Sequence, residues 1–546
     1  MMHETTGAAL TGDATSLGRS GLWRAPPFVG PAVAGRAAAG HPAIARHVRS
    51  LVALLMLAGL ALRLFHVGMD AYWRNELFSI YWTQHSYRFL LTTGMFTETN
   101  PPLHFVLLKL WTGLFGTGAV AARMLSVVAS VACIPLTYRL GKRLGSASAG
   151  LLAAALVAAS PVQIYFADEA RGYALLPMLV SLALLGLCEF LRGSSLLPAE
   201  DAAPRWSGLV LYAGACVALI YTHAISVFIV FSIATAMLLL MLDAGLGWRR
   251  IRVFLVANAV VAALGAPAMA AIAWQAGSAN IAWMPRFDLA QLIVTARYLL
   301  MGPMVPENLD HARLPAMLLT ELGLASFAAI GLFAVARAVI RDRLAMALLL
   351  LFPVLFIALV SGVSLLRPVL IPRVTLWTTV PISLAAGFVL VSHARLGLRL
   401  LAMLPLIGCM AIGLWNNVIS PSEHKPDWPA MLADIGPDRA DMLVAGPHAG
   451  PLGVVFYGHG RAAPPLRQWR PDPDAPVTVT DRLETQHSGA VPIGTAALAA
   501  RIAAGGHPAL FLDDGDTKLI DGTVSRLPRF AGARVHRYPG LTVFQW

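Results

Sequence analysis

Long apolar runs recur along most of this chain. Eleven of them, each close to the length of a membrane-crossing helix, lie between residues 49 and 416. A helix needs about 20 mainly apolar residues to cross the hydrocarbon core of a bilayer. Charged residues make up 13% of the chain, against roughly 25% in soluble proteins. The sequence therefore predicts a membrane all-α protein of about eleven spans, near 49–68, 120–138, 147–164, 172–191, 207–222, 224–243, 253–275, 314–337, 344–363, 371–392 and 398–416.

Basic residues form five short clusters at the ends of these runs. Cytoplasmic loops are enriched in Lys and Arg, and all five clusters fall on one side if the N-terminus is cytoplasmic. They account for much of the net charge of +12 without a continuous basic face for nucleic acid. We expect a multi-pass cytoplasmic (inner) membrane protein with its C-terminal segment periplasmic or extracellular. The clusters are Arg46 and Arg49; Arg139, Lys142 and Arg143; Arg249, Arg250 and Arg252; Arg337, Arg341 and Arg343; and Arg395 and Arg399.

Residues 103–117 are apolar but too short for a span, and Lys109 interrupts them. Counting them as a span would also move the cluster around Lys142 to the outer side. We therefore expect an amphipathic helix that lies half-embedded in the outer interface. Residues 289–302 are interpreted in the same way.

Composition divides the chain into three regions. Residues 1–47, rich in Ala, Gly and Pro, predict a disordered cytoplasmic tail and not a cleavable signal, because the first apolar run begins late and is long. Residues 48–417 form the membrane domain. Residues 418–546 predict a small soluble α/β domain, because Pro and Gly are frequent and long apolar runs are few. Its expected elements are helices at 427–435 and 494–506, strands at 442–446, 453–458 and 509–514, and a closing hairpin at 535–546.

The first long outer loop contains the sequence DAYWRNELFS, residues 70–79. Tyr72 and Trp73 are typical interfacial anchors. Glu76, which follows Asn75, is a candidate general base, because partial desolvation beside aromatic rings raises the proton affinity of a carboxylate. A plain solvated carboxylate is the alternative.

Two further loops carry polar side chains at the same membrane face. In TNPPLHF, residues 99–105, the prolines indicate a rigid turn after Asn100, and His104 is a possible ligand on the outer surface. In YFADEARGY, residues 165–173, Glu169 and Arg171 lie in a short loop where charges are costly unless paired or functional. They form either an internal ion pair or one site together with Glu76.

Other outer positions add a histidine and several arginines. His223 lies at the corner between two predicted spans, where it is either part of a site or a capped structural residue. Arg367 and Arg373 lie in the outer turn SLLRPVLIPR, against the usual cytoplasmic bias of Arg. Because Arg binds phosphate in a bidentate manner, an anionic lipid-linked substrate would explain them.

Several kinds of chemistry are excluded by the motifs that are missing. The sequence has no P-loop, no GxGxxG with an acidic partner, no CxxC, no HExxH and no GxSxG in a strand–turn–helix context. A cytoplasmic nucleotide-using enzyme is therefore not expected. The cysteines lie in apolar runs and are expected to be buried without disulfides; they are Cys133, Cys188, Cys216 and Cys409.

In order along the chain, YWRNELFS, NPPLHFVLLKLW, LFGTGAVAARMLSVV, SPVQIYFADEARGYAL and the corner YTH resemble the C-type (GT-C) glycosyltransferase superfamily. The resemblance is to the family 39 group, with protein O-mannosyltransferase-like and aminoarabinose-transferase-like members. It covers about residues 49–375, and the DWP helix at 427–429 is similar to the start of the tail domain in bacterial members.

This resemblance implies a polytopic GT-C helical bundle with its active site at the outer membrane face. It also implies a polyprenyl-phosphate-linked sugar donor and an acidic base on the first outer loop. The family usually has Asp-Glu there, with the Asp taken as catalytic, whereas this chain has Asn75. Either Glu76 takes over the role of base, or the acceptor differs, or the activity of this chain is altered. Glu169, Arg171 and Tyr173 match the family's Glu-x-Arg-x-Tyr element, and His223 matches a recurrent His.

The sequence thus predicts an inverting glycosyltransferase. Its predicted catalytic residues are Glu76, Asn75 and Glu169, and its donor-binding residues are Arg171, Tyr173, Asn100, His104, His223, Arg367 and Arg373. The acceptor is a lipid, a glycan or a protein, no cofactor is certain, and a divalent metal is possible. A lipid or solute transporter or flippase is the alternative, although no internal repeat is evident and the charges collect at span ends. A non-catalytic scaffold is the third possibility.

Overall fold

The computed structural model describes most of the membrane region and the greater part of the C-terminal domain. The predicted tail up to residue 41 and most of the predicted span 314–337 lie outside the described residues. The described residues are 42–194, 196, 205–276, 284, 286–303, 322–323, 325–326, 329, 343–391, 396–419, 425–435, 439–446, 450–458, 464–470, 479–513 and 533–546.

The part of the membrane region that is described is helical. Its α-helices, in chain order, are α1 Pro42–Leu64, α2 Arg74–Thr83, α3 Tyr87–Leu91, α4 Thr93–Thr97, α5 Leu103–Phe115, α6 Ala119–Leu144, α7 Ala147–Ala158, α8 Pro161–Ala167, α9 Leu175–Phe190, α10 Trp206–Thr222, α11 Ser226–Asp243, α12 Trp248–Gln275, α13 Ala290–Met301, α14 Arg343–Met346, α15 Phe352–Leu366, α16 Thr379–Leu390 and α17 Leu396–Leu414. Short 3₁₀ turns, Gly172–Ala174 and Pro372–Thr378, lead into α9 and α16.

Seven helical segments in the described residues are long and apolar enough to cross a membrane. The predicted span 147–164 is instead a pair, α7 and α8, bent by 54°. Pro161 at the start of α8 explains the break, since proline cannot donate an amide hydrogen bond to the preceding turn. The predicted span 207–222 is α10, which has 17 residues.

The two segments predicted to be interfacial are short helices. Helix α5 has 13 residues and α13 has 12, so at 1.5 Å per residue neither is long enough to cross about 30 Å of hydrocarbon. Their placement in the membrane surface remains a prediction.

Close helix contacts hold the bundle together. A Cβ atom on Gly186 of α9 would lie 2.6 Å from the carbonyl oxygen of Gly208 of α10, and the reverse distance is also 2.6 Å. Small residues at such crossings let two backbones approach, which gains the dispersion energy that drives helix association in lipid. The pair α9 and α10 forms the centre of the largest buried cluster.

The C-terminal region is an α/β domain built on one six-stranded sheet. The strand order is β3-β2-β1-β4-β6-β5, with parallel pairs from β3 to β4 and antiparallel pairs β4–β6 and β5–β6. The strands are β1 Met442–Ala445, β2 Leu466–Arg470, β3 Val491–Gly494, β4 Pro508–Asp513, β5 Arg534–Tyr538 and β6 Leu541–Gln545, and the helices are α18 Trp428–Asp434, α19 Leu452–Tyr457, α20 Val479–Ser488 and α21 Thr495–Ala503.

Several parts of this domain, including the unpredicted helix α20, differ from the sequence-based prediction. The segment 453–458, expected as a strand from its Val-Val-Phe run, is helix α19. Pro451 precedes its first turn, and Gly453 lies directly against the Trp428 ring, so packing overrides the strand propensity. Strands β2 and β3 were not predicted, because Arg, Gln and Pro interrupt their alternation.

Candidate active site

Four loops that are distant in sequence meet at one end of the bundle. Gly172 marks the contact: a Cβ atom there would lie 3.2 Å from the His104 Cβ and 3.4 Å from the Thr222 Cγ2. Glycine at this position therefore lets the 165–173 loop approach both the start of α5 and the end of α10. The predicted residues Glu76, Glu169, Arg171, Tyr173, His104, His223 and Arg373 gather around this point.

Glu76 forms a buried bidentate ion pair with Arg123 of α6. The Arg123 Nε donates to Oε1 and Nη2 donates to Oε2, both at 2.8 Å, and both side chains are fully buried. The Ala170 amide also donates to Oε1 at 2.9 Å. Arg123 in turn donates to the carbonyl oxygens of Val67 and Asp70. Glu76 therefore joins α2, α6 and the 165–173 loop.

This pairing reverses the proton affinity expected for Glu76. Burial raises its pKa, but Arg123 and Lys425 oppose this effect and the net pKa is about 2. The predicted raised proton affinity of Glu76 is wrong, because the carboxylate has acquired a guanidinium partner 47 residues away. A carboxylate held ionised by two hydrogen bonds is a poor proton acceptor.

Glu169 has the opposite environment. Its side chain is 1% exposed, and its Oε2 has no hydrogen-bond partner among the described residues. Burial raises its pKa to about 7, with Glu76 adding to the rise and Lys425, Arg373 and Arg171 opposing it. Such a group gains and loses a proton near neutral pH, which is what general base catalysis requires.

Asn75 directly precedes Glu76 in the chain, and its backbone contacts Arg171. Its carbonyl oxygen accepts hydrogen bonds from Ser79 Oγ at 3.1 Å and from Arg171 Nη1 at 3.4 Å. Its amide side chain cannot accept a proton at neutral pH. Asn75 therefore helps to position Arg171 through its backbone carbonyl. The carboxylate that can accept a proton is that of Glu169.

Two guanidinium groups lie beside Glu169. Arg171 is 8% exposed and donates to Ser79 Oγ at 3.2 Å. Arg373 lies over the ring of Tyr173, 5.6 Å from its centroid. The Tyr173 ring lies 5.5 Å from that of His223. The site thus brings together both arginines, the tyrosine and the histidine that were predicted to bind the donor.

The two histidines are both held neutral. His104 Nε2 donates to the Ala170 carbonyl at 3.1 Å, and His223 Nδ1 accepts from the Ile225 amide at 3.2 Å. Burial is the main cause that lowers both pKa values to about 3; Arg171 contributes at His104, and Arg373 and Arg171 contribute at His223. His104 is 3% exposed, so its predicted position on the outer surface is wrong; its ring fills the gap under the 165–173 loop.

The two remaining predicted donor-binding residues make other contacts. Arg367 is exposed, and its guanidinium donates to the Ala276 carbonyl at the end of α12. Asn100 Nδ2 lies 3.5 Å from Glu98 Oε1. Glu98 was not predicted; it is 5% exposed, and burial raises its pKa although Arg171 opposes the rise.

Sequence reasoning also missed two cations at the centre of the site. Arg123 carried a usable signal, since an ionisable residue inside an apolar run marks a functional site by default. Lys425 carried none. It lies near the start of the C-terminal domain, and its Nζ lies 3.4 Å from both Glu76 Oε2 and Asp168 Oδ2.

A candidate metal site lies next to these cations. His66, Asp70 and Asp168 offer ligand atoms within 4.8 Å of one another. Arg123 Nη1 lies 3.7 Å from Asp168 Oδ1, and Lys425 lies 3.4 Å from Oδ2. Because Asp168 already faces two cations, a divalent ion would meet repulsion there. We treat the three residues as part of a charge network and assign no metal to them.

Solved structures with a similar fold are membrane glycosyltransferases. ArnT from Cupriavidus metallidurans bound to undecaprenyl phosphate is 13% identical, with a TM-score of 0.52 over 90% of this chain and 97% of that chain. Its apo form gives 0.51 at 13% identity over 91% and 98%. The oligosaccharyltransferase AglB from Archaeoglobus fulgidus, in complex with an inhibitory peptide and a dolichol-phosphate, gives 0.50 at 13% identity over 91% and 74%. The chain therefore has the fold of the C-type (GT-C) glycosyltransferases.

A family comparison gives the same class from sequence. Residues 99–274 match the family described as dolichyl-phosphate-mannose-protein mannosyltransferase. No curated protein matches the chain. The family match and the fold both agree with the membrane glycosyltransferase that the sequence motifs predicted.

Proposed function

We propose that this protein transfers a sugar from a polyprenyl-phosphate donor to a hydroxyl group of an acceptor at the outer face of the cytoplasmic membrane. The observation that carries the proposal is the environment of Glu169. This buried carboxylate lies beside Arg171 and Arg373, has a pKa of about 7, and has one oxygen without a hydrogen-bond partner among the described residues. The similar structures of ArnT and AglB hold undecaprenyl phosphate and a dolichol-phosphate, which supports a donor of this kind.

The reaction follows from these groups. The acceptor oxygen forms a bond to the anomeric carbon while the bond from that carbon to the phosphate oxygen breaks. The electron pair of the broken bond stays on the phosphate, and the acceptor proton moves to Glu169. A single displacement of this kind inverts the anomeric configuration.

The two arginines suit the leaving group. Negative charge grows on the lipid phosphate as the bond breaks, and a pre-positioned guanidinium stabilises it without reorganisation. Arg373 is oriented by the Tyr173 ring, and Arg171 by Ser79 and the Asn75 carbonyl. In this proposal Glu76 acts as a support that fixes α2 against the 165–173 loop.

Helix α6 supports the outer location. Arg123, at the site, lies near its first residue, and Lys142 and Arg143 lie in its last turn. The helix has 26 residues and is therefore about 39 Å long. The site and this basic cluster thus lie at opposite ends of one span, so a cytoplasmic cluster requires an outer site.

The test is sugar transfer in membranes from radiolabelled polyprenyl-phosphate sugars. Glu169→Gln keeps the shape but removes the base, so we expect the rate to fall by a factor of about 100 or more. The native protein should gain activity as the pH rises through about 7, since the base acts only when ionised. Full activity of Glu169→Gln, or a retained anomeric configuration in the product, would overturn this mechanism.

Asn75→Asp is the matched comparison. It restores the family's usual Asp at the neighbouring position without altering Glu169. If Glu169 is the base, the rate should change by less than about tenfold. A Glu169→Gln variant whose activity is recovered by Asn75→Asp would instead show that the base can be placed at position 75.

A further inference from the structure

The C-terminal domain contacts the catalytic loops through Tyr72. This residue is fully buried, three positions before Asn75. Its amide donates to the Tyr457 hydroxyl at 2.8 Å, and its carbonyl accepts from Trp428 Nε1 at 2.9 Å. Tyr457 and Trp428 belong to different helices of the domain, α19 and α18. The backbone just before the site is thus held from two sides by the domain.

Lys425, three residues before Trp428, extends this contact into the site. Its side chain is 9% exposed, and its Nζ lies 3.4 Å from Glu76 Oε2 and 3.4 Å from Asp168 Oδ2. It also donates to the Asp168 carbonyl oxygen. The loop that carries Glu76 and the loop that carries Glu169 are therefore joined by one cation from the C-terminal domain.

We propose that Lys425 is a positioning residue of the active site, through which the C-terminal domain holds the carboxylates of two membrane-domain loops in place. The proposal rests on the proposed function, in which Glu169 is the base. It makes the domain a required part of the catalytic centre, and not an appended module.

Electrostatics gives the physical reason. Glu76, Asp168 and Glu169 place three carboxyl groups in one water-poor pocket, where like charges repel strongly. Arg123 compensates Glu76, and Lys425 lies 3.4 Å from Glu76 and from Asp168, the residue next to Glu169. The charged or titratable groups acting on Glu169 are Lys425, Glu76, Arg373 and Arg171, with the Tyr298 hydroxyl also near. Removing the Lys425 charge leaves Glu169 harder to ionise.

The experiment compares Lys425→Gln, which removes the charge, with Lys425→Arg, which keeps it. In the pH–rate profile of the native protein, activity rises with pH as Glu169 ionises. For Lys425→Gln we expect this rise, the acid limb of the profile, to shift to higher pH by about one unit. Activity near pH 7 therefore falls, and it returns at higher pH. Lys425→Arg should restore the native limb. The control is Arg439→Gln, in the same domain, which breaks an exposed ion pair with Asp434 and should leave the profile unchanged.

A second variant moves the lysine without altering its charge. A Cβ atom on Gly453 would clash with the Trp428 ring, so Gly453→Ala should displace α18 and withdraw Lys425. We expect the same upward shift of the limb, whereas Gly494→Ala, at a position with open space, should have no effect.

The outcomes separate this inference from the proposed function. A loss of activity at every pH without a shift of the limb, in both Lys425→Gln and Gly453→Ala, would reduce Lys425 to a structural contact and overturn the inference. An unchanged profile in both variants would also overturn it. Failure of the proposed function is seen separately, as full activity of Glu169→Gln.

Discussion

Two glutamates of the site, Glu76 in α2 and Glu169 in the 165–173 loop, show how environment sets the role of a residue. Glu76 and Glu169 are both almost completely buried. Glu76 accepts two hydrogen bonds from Arg123, and its pKa falls to about 2. Glu169 has one oxygen without a hydrogen-bond partner in the described part of the chain, and its pKa rises to about 7. The same side chain is therefore a support at one position and a candidate base at the other.

Substitution of Glu76 tests this assignment. Glu76→Gln leaves Arg123 charged and buried without its carboxylate, which costs about 3–5 kcal/mol of stability. The native contribution should persist down to acid pH: the folded pKa is lowered to about 2, so the stabilisation is lost only as the pH falls below the unfolded value and through about 2. Thermal unfolding in detergent at several pH values measures both effects.

The activity of the folded fraction completes that test. We expect Glu76→Gln to retain most of its transfer rate per folded molecule, because Glu76 takes no proton in the proposed mechanism. A control, Arg439→Gln, breaks an exposed ion pair with Asp434 and should not change the unfolding temperature. A Glu76→Gln protein that is as stable as the native form but inactive would return the role of base to Glu76.

Among the helices, the broken pair α7 and α8 depends on one arginine of α1. Arg63 is 1% exposed and donates to Ser130 Oγ at 2.8 Å, to the Ala158 carbonyl at 3.0 Å and to the Val157 carbonyl at 3.3 Å. These carbonyls belong to the last turn of α7, where the helix dipole is negative, and the Val157 carbonyl also accepts from the Ser160 amide at 3.3 Å. Arg63 therefore stabilises the bend that leads to the 165–173 loop.

Removing this arginine should destabilise the bend. Arg63→Met removes the hydrogen bonds that Arg63 donates to the Ala158 carbonyl and to Ser130 Oγ, at a cost of about 1–3 kcal/mol. The lowered unfolding temperature is measured against Arg49→Met, an exposed arginine of the same helix, which should behave like the native protein. Equal stability of the two variants would mean that Pro161 alone maintains the break.

At the scale of the whole molecule, the two ends of α6 have different surroundings. The site and the C-terminal domain lie together at the Arg123 end of α6, and Lys142 is exposed at the other end. All four cysteines are buried, so a single added cysteine reports its own accessibility.

Labelling should therefore reveal the orientation. We expect Lys142→Cys to be protected from a membrane-impermeant maleimide in intact cells and to react after permeabilisation, because the basic cluster is cytoplasmic. Arg439→Cys, in the C-terminal domain, is the control and should react in intact cells. The reverse pattern would place the site in the cytoplasm and contradict the proposed location.

Much of this structure could be predicted from local patterns in the sequence. Outer-loop position and the family resemblance assigned Glu169, Arg171, Tyr173, His223 and Arg373 to one site, which stays a prediction although these residues lie close together. Apolar runs made another set of predictions, the positions of the helices now seen in the described residues. These predictions succeed because hydrophobic burial and helix length depend on neighbouring residues. The strand expected at 453–458 failed for the complementary reason: its helix is stabilised by Trp428, which lies outside the segment.

The roles of the carboxylates depended on contacts that no local pattern contains. A multi-span helical membrane fold follows from hydropathy, and the class of enzyme follows from motif order, whereas the count of eleven spans stays a prediction. That Glu76 is held ionised, that His104 is buried, that Arg367 lies apart and that Lys425 reaches the site follow from pairings across the fold, such as the 257 positions between Lys425 and Asp168. Proton affinity is set by the charges and the solvent around a group in space, so it becomes defined only when the chain has folded.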